Sequence, residues 1–246
     1  MTSLTGRRVL VTRPTHQAAA LACQLRARGA TPILWAALAI EPPADRRPLL
    51  RAARQLDQYD WVVVTSANGA AALMSALAEG GPVPVPERVR FAAIGPATAA
   101  ALQAGGIVPA LLPTLARSEG LLAALGECTG RVLLASAANA RPVLAEGLRQ
   151  QGALVTAVEA YRVVPQPLPA PLQVALRRGE ITDVVLTSGT AARALAAGLA
   201  GSPLVSRVIC LGPVTAAAAR RAGLPVHRVA REASEAGLLA ALEERP

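Results

Sequence analysis

The chain has 246 residues, of which 52% are hydrophobic and only 2% aromatic, and its formal net charge is +9. No apolar run approaches the roughly 18 residues that span a bilayer, and the opening residues lack the apolar stretch of a secretory signal, so we expect a cytoplasmic protein with no membrane partner. The basic residues are all arginines, scattered without the interleaved aromatic residues of proteins that bind single-stranded nucleic acid, which argues against a nucleic-acid partner. The charge is compatible with a small anionic ligand, and a codon usage rich in arginine and alanine is the alternative explanation.

Short β-branched runs alternate with Ala- and Leu-rich stretches, which favours parallel strands covered on both faces by helices. The predicted strands are 8–13, 31–40, 61–65, 90–94, 108–111, 131–135, 154–163, 183–187, 206–210 and 225–229. A helix is expected after each strand. The helices predicted at 16–28 and 139–151 are followed by Gly29 and Gly152, which suit a left-handed helix end.

Four sequence blocks occur twice in the same order. Residues 8–11, 60–66, 94–101 and 118–125 recur as 131–134, 183–188, 211–218 and 234–242. The repeat predicts an internal duplication, and therefore two similar flavodoxin-like parallel α/β domains, each long enough to bury its own core. The extended, proline-bounded segments 31–43 and 154–169 occupy equivalent places in the two copies and are interpreted as paired connectors between the domains.

The cysteines and histidines give no sign of a metal site. Cys23, Cys128 and Cys210 are far apart in apolar surroundings, so we expect three buried free thiols. His16 and His227 have no neighbour at ligand spacing, which argues against a zinc site and against a serine–histidine triad. Nucleotide-binding fingerprints are also missing from the sequence.

Hydroxyl-bearing motifs follow several predicted strands where a helix begins. Ligands of open parallel sheets bind beyond the carboxyl ends of the strands, and helix N-termini there favour carboxylates or phosphates. We therefore expect a cleft between the domains, lined by hydroxyl groups and backbone amides, although plain helix capping is the alternative for each motif. The candidate residues in these motifs are Ser66, Asn68, Thr98, Ser188, Gly189, Thr190 and Thr215.

Five further candidates lie outside those motifs. Arg13 ends the first strand, where it can pair with a ligand carboxylate or form a surface salt bridge, and Ser136 is its equivalent in the second copy. Asn139 and Arg141 begin the next predicted helix and serve there as a ligand contact or as a cap and a surface residue. Tyr161 lies in the second connector, where a packed aromatic side chain is the alternative interpretation.

These blocks resemble, in order and spacing, those of the uroporphyrinogen-III synthase family, and the resemblance covers nearly the whole chain. The matching segments are 11–14, 63–69, 93–99, 152–162, 184–188 and 212–216. The resemblance implies two α/β domains joined by a two-stranded linker, with the first block of each copy swapped into the other domain. The implied boundaries are 1–36 plus 168–246 for domain one, 37–41 and 159–167 for the linker strands, and 42–158 for domain two.

The resemblance also implies a reaction. Hydroxymethylbilane, with its eight carboxylates, would be cyclised to uroporphyrinogen III in tetrapyrrole (haem, sirohaem, cobalamin) biosynthesis, with loss of water and inversion of ring D through a spiro intermediate. The implied enzyme is a cofactor-independent, monomeric lyase without a metal, and its substrate comes from hydroxymethylbilane synthase.

By motif position, the resemblance makes Tyr161 the general acid for the departing hydroxyl group and Arg13 a carboxylate partner. The substrate contacts that it implies are Ser66, Asn68, Thr98, Ser188, Thr190 and Thr215. Ser136 departs from the arginine that many bacterial members have there, so one carboxylate contact is either lost or supplied by Arg141 or Arg162. The alternative function is a non-catalytic, two-domain binding or regulatory protein for a tetrapyrrole or another polyanion.

Overall fold

A computed structural model describes residues 4–79 and 85–244, apart from the side chains of residues 15–17, so the prediction for His16 lies outside the described residues. The chain forms two compact units. Unit one comprises Met1–Ala39 and Val164–Pro246, and unit two comprises Ile40–Val163. The chain passes from unit one to unit two after Ala39, inside the segment 37–41, and returns after Val163, inside the segment 159–167.

In chain order, the helices and strands are β1 (Arg8–Val11), α1 (Thr15–Ala27), β2 (Thr31–Leu34), β3 (Leu38–Glu41), α2 (Arg47–Arg54), β4 (Trp61–Val64), α3 (Ala67–Glu79), β5 (Arg90–Ala93), α4 (Pro96–Ala104), α5 (Ser118–Leu125), β6 (Gly130–Ala137), α6 (Val143–Gln150), β7 (Ala153–Pro165), α7 (Ala170–Arg177), β8 (Asp183–Leu186), α8 (Gly189–Leu199), β9 (Arg207–Cys210), α9 (Pro213–Arg221), β10 (Arg228–Val229) and α10 (Glu235–Glu243). A short 3-10 helix, Leu56–Gln58, lies between α2 and β4. Within the described residues, no helix is long and apolar enough to cross a membrane.

Each unit contains one five-stranded sheet. In unit one the strand order is β10-β9-β8-β1-β2, and all neighbouring strands are parallel. In the other sheet the order is β3-β7-β6-β4-β5, with β7, β6, β4 and β5 parallel. The mixed α/β fold with parallel sheets confirms the predicted fold class at that level.

The central strands β4 and β8 are buried along their whole length because helices cover both faces of each sheet. In β4, Val62 and Val64 pack into one hydrophobic cluster, whereas Trp61 and Val63 pack into another. Successive side chains of a strand point to opposite faces, so two separate clusters require two covered faces. Unit one repeats this arrangement, with Val184 and Val185 of β8 in different clusters.

Three predicted strands differ clearly from the structure, and one of them, 225–229, is shortened to the two residues of β10. The segment 31–40 is not one strand: it divides into β2, which pairs with β1 up to Leu34, and β3, which lies in the other sheet. The division follows from the end of β1 at Val11, which leaves the chain after Leu34 without a partner in the first sheet. The segment 108–111 is reduced to an isolated bridge between Ala92 and Leu111.

The helix ends explain two further outcomes. Gly29 and Gly152 have φ angles of +84° and +96°, the left-handed conformation that the sequence predicted after α1 and α6. Helix α6 begins at Val143 and not at residue 139, so the prediction that Asn139 and Arg141 open this helix is wrong. Pro142 accounts for this, since proline disfavours a helical conformation in the residue before it and is well tolerated at a helix start.

Cysteine burial was predicted correctly at two of three positions. Cys128 and Cys210 are buried, but Cys23 is exposed. In α1 the core takes Leu21 and Leu25, and Cys23 lies on another face of the helix.

Candidate functional site

Unit one brings five predicted site residues to one edge of its sheet. Arg13 follows β1, the segment 188–190 follows β8, and Thr215 lies in the first turn of α9, after β9. Because β1, β8 and β9 are consecutive parallel strands, these residues all lie at the carboxyl edge. The repeat in the sequence predicted this placement.

The Ser188 side chain caps helix α8. Its Oγ atom accepts a hydrogen bond from the backbone N–H of Ala191 at 3.1 Å. The hydroxyl proton of Ser188 is not used in this cap, so it can still be donated to an anion. Capping and ligand binding, which the sequence posed as alternatives, are therefore chemically compatible at this residue.

Two other residues at this edge, Arg13 and Thr190, have protein partners. Arg13 donates from Nη1 to the Glu235 carboxylate at 3.1 Å, and Thr190 Oγ1 accepts a hydrogen bond from Arg193 at 2.9 Å. The salt bridge that the sequence posed as the alternative for Arg13 is thus present. An anionic ligand at Arg13 must share the guanidinium with Glu235, whose carboxylate repels it.

Gly189 allows a close approach of two helices at the same edge. A Cβ atom at this position would lie 2.7 Å from the Cβ atom of Ala218 in α9. The missing side chain therefore brings the first turn of α8 close to α9.

In unit two the same kind of edge carries Ser66, Ser136, Tyr161 and Thr98. Ser66 and Thr98 follow β4 and β5, and Ser136 lies next to the last residue of β6. Tyr161 lies within β7, where it pairs with Ala137 at the end of β6, and these four strands are adjacent and parallel. Ser66 repeats the cap of Ser188, with Oγ accepting from the Gly69 N–H at 3.0 Å. The two copies thus share their capping geometry.

Thr98 and its repeat counterpart Thr215 are more deeply buried than the sequence suggested. Their exposed fractions are 3% and 7%, and each is the third residue of a helix that begins with proline. The residues exposed in these first turns are Pro96 and Ala97 in α4 and Pro213 and Val214 in α9. The surface of these first turns is therefore formed by the residues before each threonine and not by the threonine side chains.

Asn139 and Arg141 lie in the exposed turn between β6 and α6. The nearest acidic group to Arg141 is Glu119, at 3.9 Å from its Nη1 atom. Arg162, the other proposed replacement for the missing arginine at Ser136, donates to Glu41 at 2.8 Å. Neither arginine side chain is held in a buried position, so both are free to rearrange around a ligand.

Tyr161 and Asn68 line the same cavity, although they are far apart in the sequence. The cavity has a volume of about 230 Å³ and lies entirely in unit two. Sequence reasoning missed two charged residues on its wall, Glu41 and Arg46. Neither residue belongs to a repeated block, so the duplication gave no signal for them.

The buried thiols are unsuited to nucleophilic chemistry. Burial raises the pKa of Cys210 to about 11 and also raises the pKa of Cys128. Both thiols are therefore protonated at neutral pH. Among the described residues, no three His, Cys, Asp or Glu side chains are grouped as metal ligands.

Comparison with known proteins gives a consistent set of relatives. A sequence model of the family described as HEM4: Uroporphyrinogen-III synthase HemD matches residues 19–240. A uroporphyrinogen-III synthase of Synechococcus elongatus is 30% identical over 253 residues, which cover 98% of this chain and 96% of the relative. The porphyrin biosynthesis protein HemD of Ruminiclostridium josui is 26% identical over 227 residues, and the match covers 90% of this chain but 45% of that protein.

Solved structures agree with the sequence relatives. A mutant uroporphyrinogen III synthase from the extremely thermophilic bacterium Thermus thermophilus matches with a TM-score of 0.64 and 26% identity, covering 95% of this chain and 96% of the other. The uroporphyrinogen-III synthetase of Helicobacter pylori matches with a TM-score of 0.61 over 95% of this chain and 97% of its own, and at 18% identity it is similar in fold.

Proposed function

Because this chain belongs to the uroporphyrinogen-III synthase family, we propose that it cyclises hydroxymethylbilane to uroporphyrinogen III with loss of water and inversion of ring D. The observation that carries the proposal is the family match over residues 19–240, joined to two sheet edges that present capped helix N-termini. Such termini suit carboxylates, of which the substrate carries eight.

The reaction begins with loss of the hydroxymethyl oxygen. The Tyr161 phenol donates a proton to this hydroxyl group, which leaves as water, and an azafulvene cation remains. The substituted carbon of the terminal ring then attacks the cation and forms a spiro intermediate. This intermediate fragments and recloses with ring D reversed, at the carbon of that ring that still carries a hydrogen. Loss of this proton restores the aromatic pyrrole and returns a proton to the tyrosinate.

Control of conformation is the main task of the protein. Unaided closure gives the uninverted isomer, so the enzyme must hold the chain of four rings in the geometry of attack at the substituted carbon. The first turns of α3 and α8 supply backbone N–H groups and a positive dipole end for substrate carboxylates. Ser66 and Ser188 add hydroxyl protons, since only their oxygen lone pairs are used as caps.

We propose that the reaction needs no cofactor. The net change is loss of one water molecule with formation of a carbon–carbon bond, and no electrons are transferred to or from an outside acceptor. Proton donors and oriented backbone dipoles are sufficient for such a step.

The strand orders support the proposed duplication with exchange of the first block. In unit one, β2-β1-β8-β9-β10 corresponds to the flavodoxin-like order 2-1-3-4-5. In unit two, β7-β6-β4-β5, followed by the bridge at Leu111, has the same order if β6 is counted first. This is the order expected if each unit received its first strand from the other copy.

We also propose that the protein is a cytoplasmic monomer that receives its substrate from hydroxymethylbilane synthase. Hydroxymethylbilane closes by itself to the wrong isomer, so a short path between the two enzymes protects it. Sedimentation of the purified protein tests whether it is a monomer. A higher share of type III product when both enzymes are mixed, compared with hydroxymethylbilane supplied in solution, tests the transfer.

The isomer assay tests the function directly. Freshly prepared hydroxymethylbilane is incubated with and without the protein, and the products are separated as type I and type III. An excess of type III is expected only with the protein. If type I predominates equally in both samples, the proposed activity is wrong.

Tyr161→Phe separates the enzyme from a non-catalytic binding protein. Removing the phenol proton lowers kcat by about 10²-fold, the lower range for a general acid, and leaves KM within a factor of three. Tyr59→Phe is the matched control, since this other tyrosine lies in the buried core of unit two and is not on the cavity wall. A binding module would show changed affinity with no turnover in any variant.

A further inference from the structure

The cavity beside Tyr161 contains an arginine for which the proposed reaction has so far given no role. Arg46 precedes the first residue of α2, and it lines the cavity together with Asn68 and Tyr161. Its side chain makes no hydrogen bond that caps the helix. The guanidinium is therefore not required for the start of α2.

The cavity is sized for part of the substrate. At about 230 Å³ it is smaller than the roughly 300–1,000 Å³ of pockets that enclose a drug-sized ligand. Along α3 its wall extends from Asn68 to Ser75, seven residues that rise roughly 10 Å in a helix. These dimensions suit one pyrrole ring with its acid side chains and exclude the whole tetrapyrrole.

The wall has an apolar part and a charged part. Ile40, which is 42% exposed, and the adjacent Pro42 and Pro43 offer a surface for the face of an aromatic ring. Glu41 has its own partner in Arg162, at 2.8 Å, so its charge is compensated without Arg46. The cationic group left to meet an anionic side chain in this cavity is Arg46.

The present partner of Arg46 is easily replaced. Arg46 forms an ion pair with Glu79, and the two side chains are 40% and 42% exposed. Ion pairs at such exposed positions contribute little to stability, because water screens them. A substrate carboxylate can therefore take the place of Glu79 at low cost and form the stronger two-pronged contact that guanidinium groups make with carboxylates.

We propose that Arg46 binds a side-chain carboxylate of the pyrrole ring that carries the hydroxymethyl group and thereby holds this ring beside Tyr161. The inference rests on the proposed function, since it assigns the cavity to one ring of the proposed substrate. Arg46 is thus a substrate-binding residue that positions the carbon–oxygen bond for protonation by the Tyr161 phenol.

Three variants test the inference in the full-length protein. Arg46→Gln removes the charge, Arg46→Lys keeps it without the two-pronged geometry, and Arg47→Gln is the control. Arg47 is the neighbouring arginine, highly exposed, paired with Asp45 and absent from the cavity wall. KM, kcat and the ratio of type III to type I product are measured with fresh hydroxymethylbilane, and thermal unfolding confirms that each variant is folded.

We expect Arg46→Gln to raise KM about tenfold, which corresponds to loss of one charge-assisted hydrogen bond, and to increase the share of type I product. Arg46→Lys should recover part of the loss, and Arg47→Gln should stay within twofold of the unchanged protein. A monopyrrole with one acetate and one propionate side chain should inhibit the unchanged protein, and its inhibition constant should rise by a similar factor in Arg46→Gln.

The outcomes distinguish this inference from the proposed function. If the unchanged protein gives no excess of type III product, the function itself fails. If it gives that excess and folded Arg46→Gln has the same KM and inhibition constant, the role of Arg46 is overturned and the function stands. A loss in Arg46→Gln that accompanies a fall in melting temperature, with an unchanged inhibition constant, also overturns it in favour of a structural role.

Discussion

Substitutions of Ser188 separate its role as a cap from its role in substrate binding. Ser188→Ala removes the acceptor that now lies 3.1 Å from the Ala191 nitrogen and leaves that N–H without its cap. Such a loss costs about 1 kcal/mol of unfolding free energy, equivalent to roughly 2–4 °C in melting temperature for a chain of this size. The same variant removes the hydroxyl proton proposed to bind a carboxylate.

Ser188→Asp changes only the second role. An aspartate accepts the same N–H and interacts favourably with the helix dipole, so stability should stay within about 0.5 kcal/mol of the original. Its negative charge, however, lies where a substrate carboxylate is proposed to bind, and like charges there oppose binding. We expect KM for hydroxymethylbilane to rise about tenfold, the equivalent of 1.4 kcal/mol.

Ser234 provides the matched control. It caps α10 in the same unit with nearly the same geometry, accepting from the Gly237 N–H at 3.0 Å. The first turn of α10 already carries Glu235, so no substrate carboxylate is proposed there, and Ser234→Asp should leave KM unchanged. Melting curves and steady-state kinetics are measured on both variants. Equal KM values for Ser188→Asp and the unchanged protein would refute the proposed anion contact at α8.

Two other predictions concern buried groups. Asp183 is fully buried and accepts a hydrogen bond from Arg7 Nε at 2.7 Å. Asp183→Ala removes the carboxylate partner of Arg7, which still donates to the Leu242 carbonyl oxygen, and should cost about 3 kcal/mol in a urea unfolding titration. A loss below about 1 kcal/mol would contradict this account. With a maleimide at pH 7, Cys23 should be the thiol modified in the folded protein, because it is exposed whereas burial raises the pKa of Cys210 to about 11; mass spectrometry checks this, and labelling of all three thiols before unfolding would contradict it.

The fold could be predicted from the sequence where the pattern has one physical cause. The predicted strand 61–65 is apolar up to Val64 because both faces of β4 are covered, and this pattern identifies a central strand of a parallel sheet. The run at 31–40 is similar in composition but divides between two sheets. Composition reports that a segment is extended and half-buried, whereas the choice of its partner strand depends on where the neighbouring strand ends.

The candidate site was predictable to the extent that it depends on strand ends. Ser66 and Ser188 were found because the serine after a buried strand is also the residue that caps the next helix. Asn139 and Arg141 were misplaced because the prediction extended the helix across Pro142. Strand ends do not predict which side chains from distant segments lie close together. That Asn68 and Tyr161 line one cavity was visible only in the structure.

The differences between the two copies matter more for the reaction than their likeness. Two identical edges would bind the substrate carboxylates without distinguishing the ring that must be inverted from the other three. Tyr161 has Leu38 as its counterpart, and the cavity with Arg46 lies on the side of Tyr161. If the duplicated helix N-termini bind the carboxylates in general, then the unduplicated residues of this cavity bind the ring that carries the hydroxymethyl group and so distinguish that end of the substrate from the end that is inverted. The specificity of the reaction would therefore arise from cavity residues that have no equivalent in the other copy. Substitutions of these residues should change the ratio of isomers, whereas substitutions of Ser188 should change affinity.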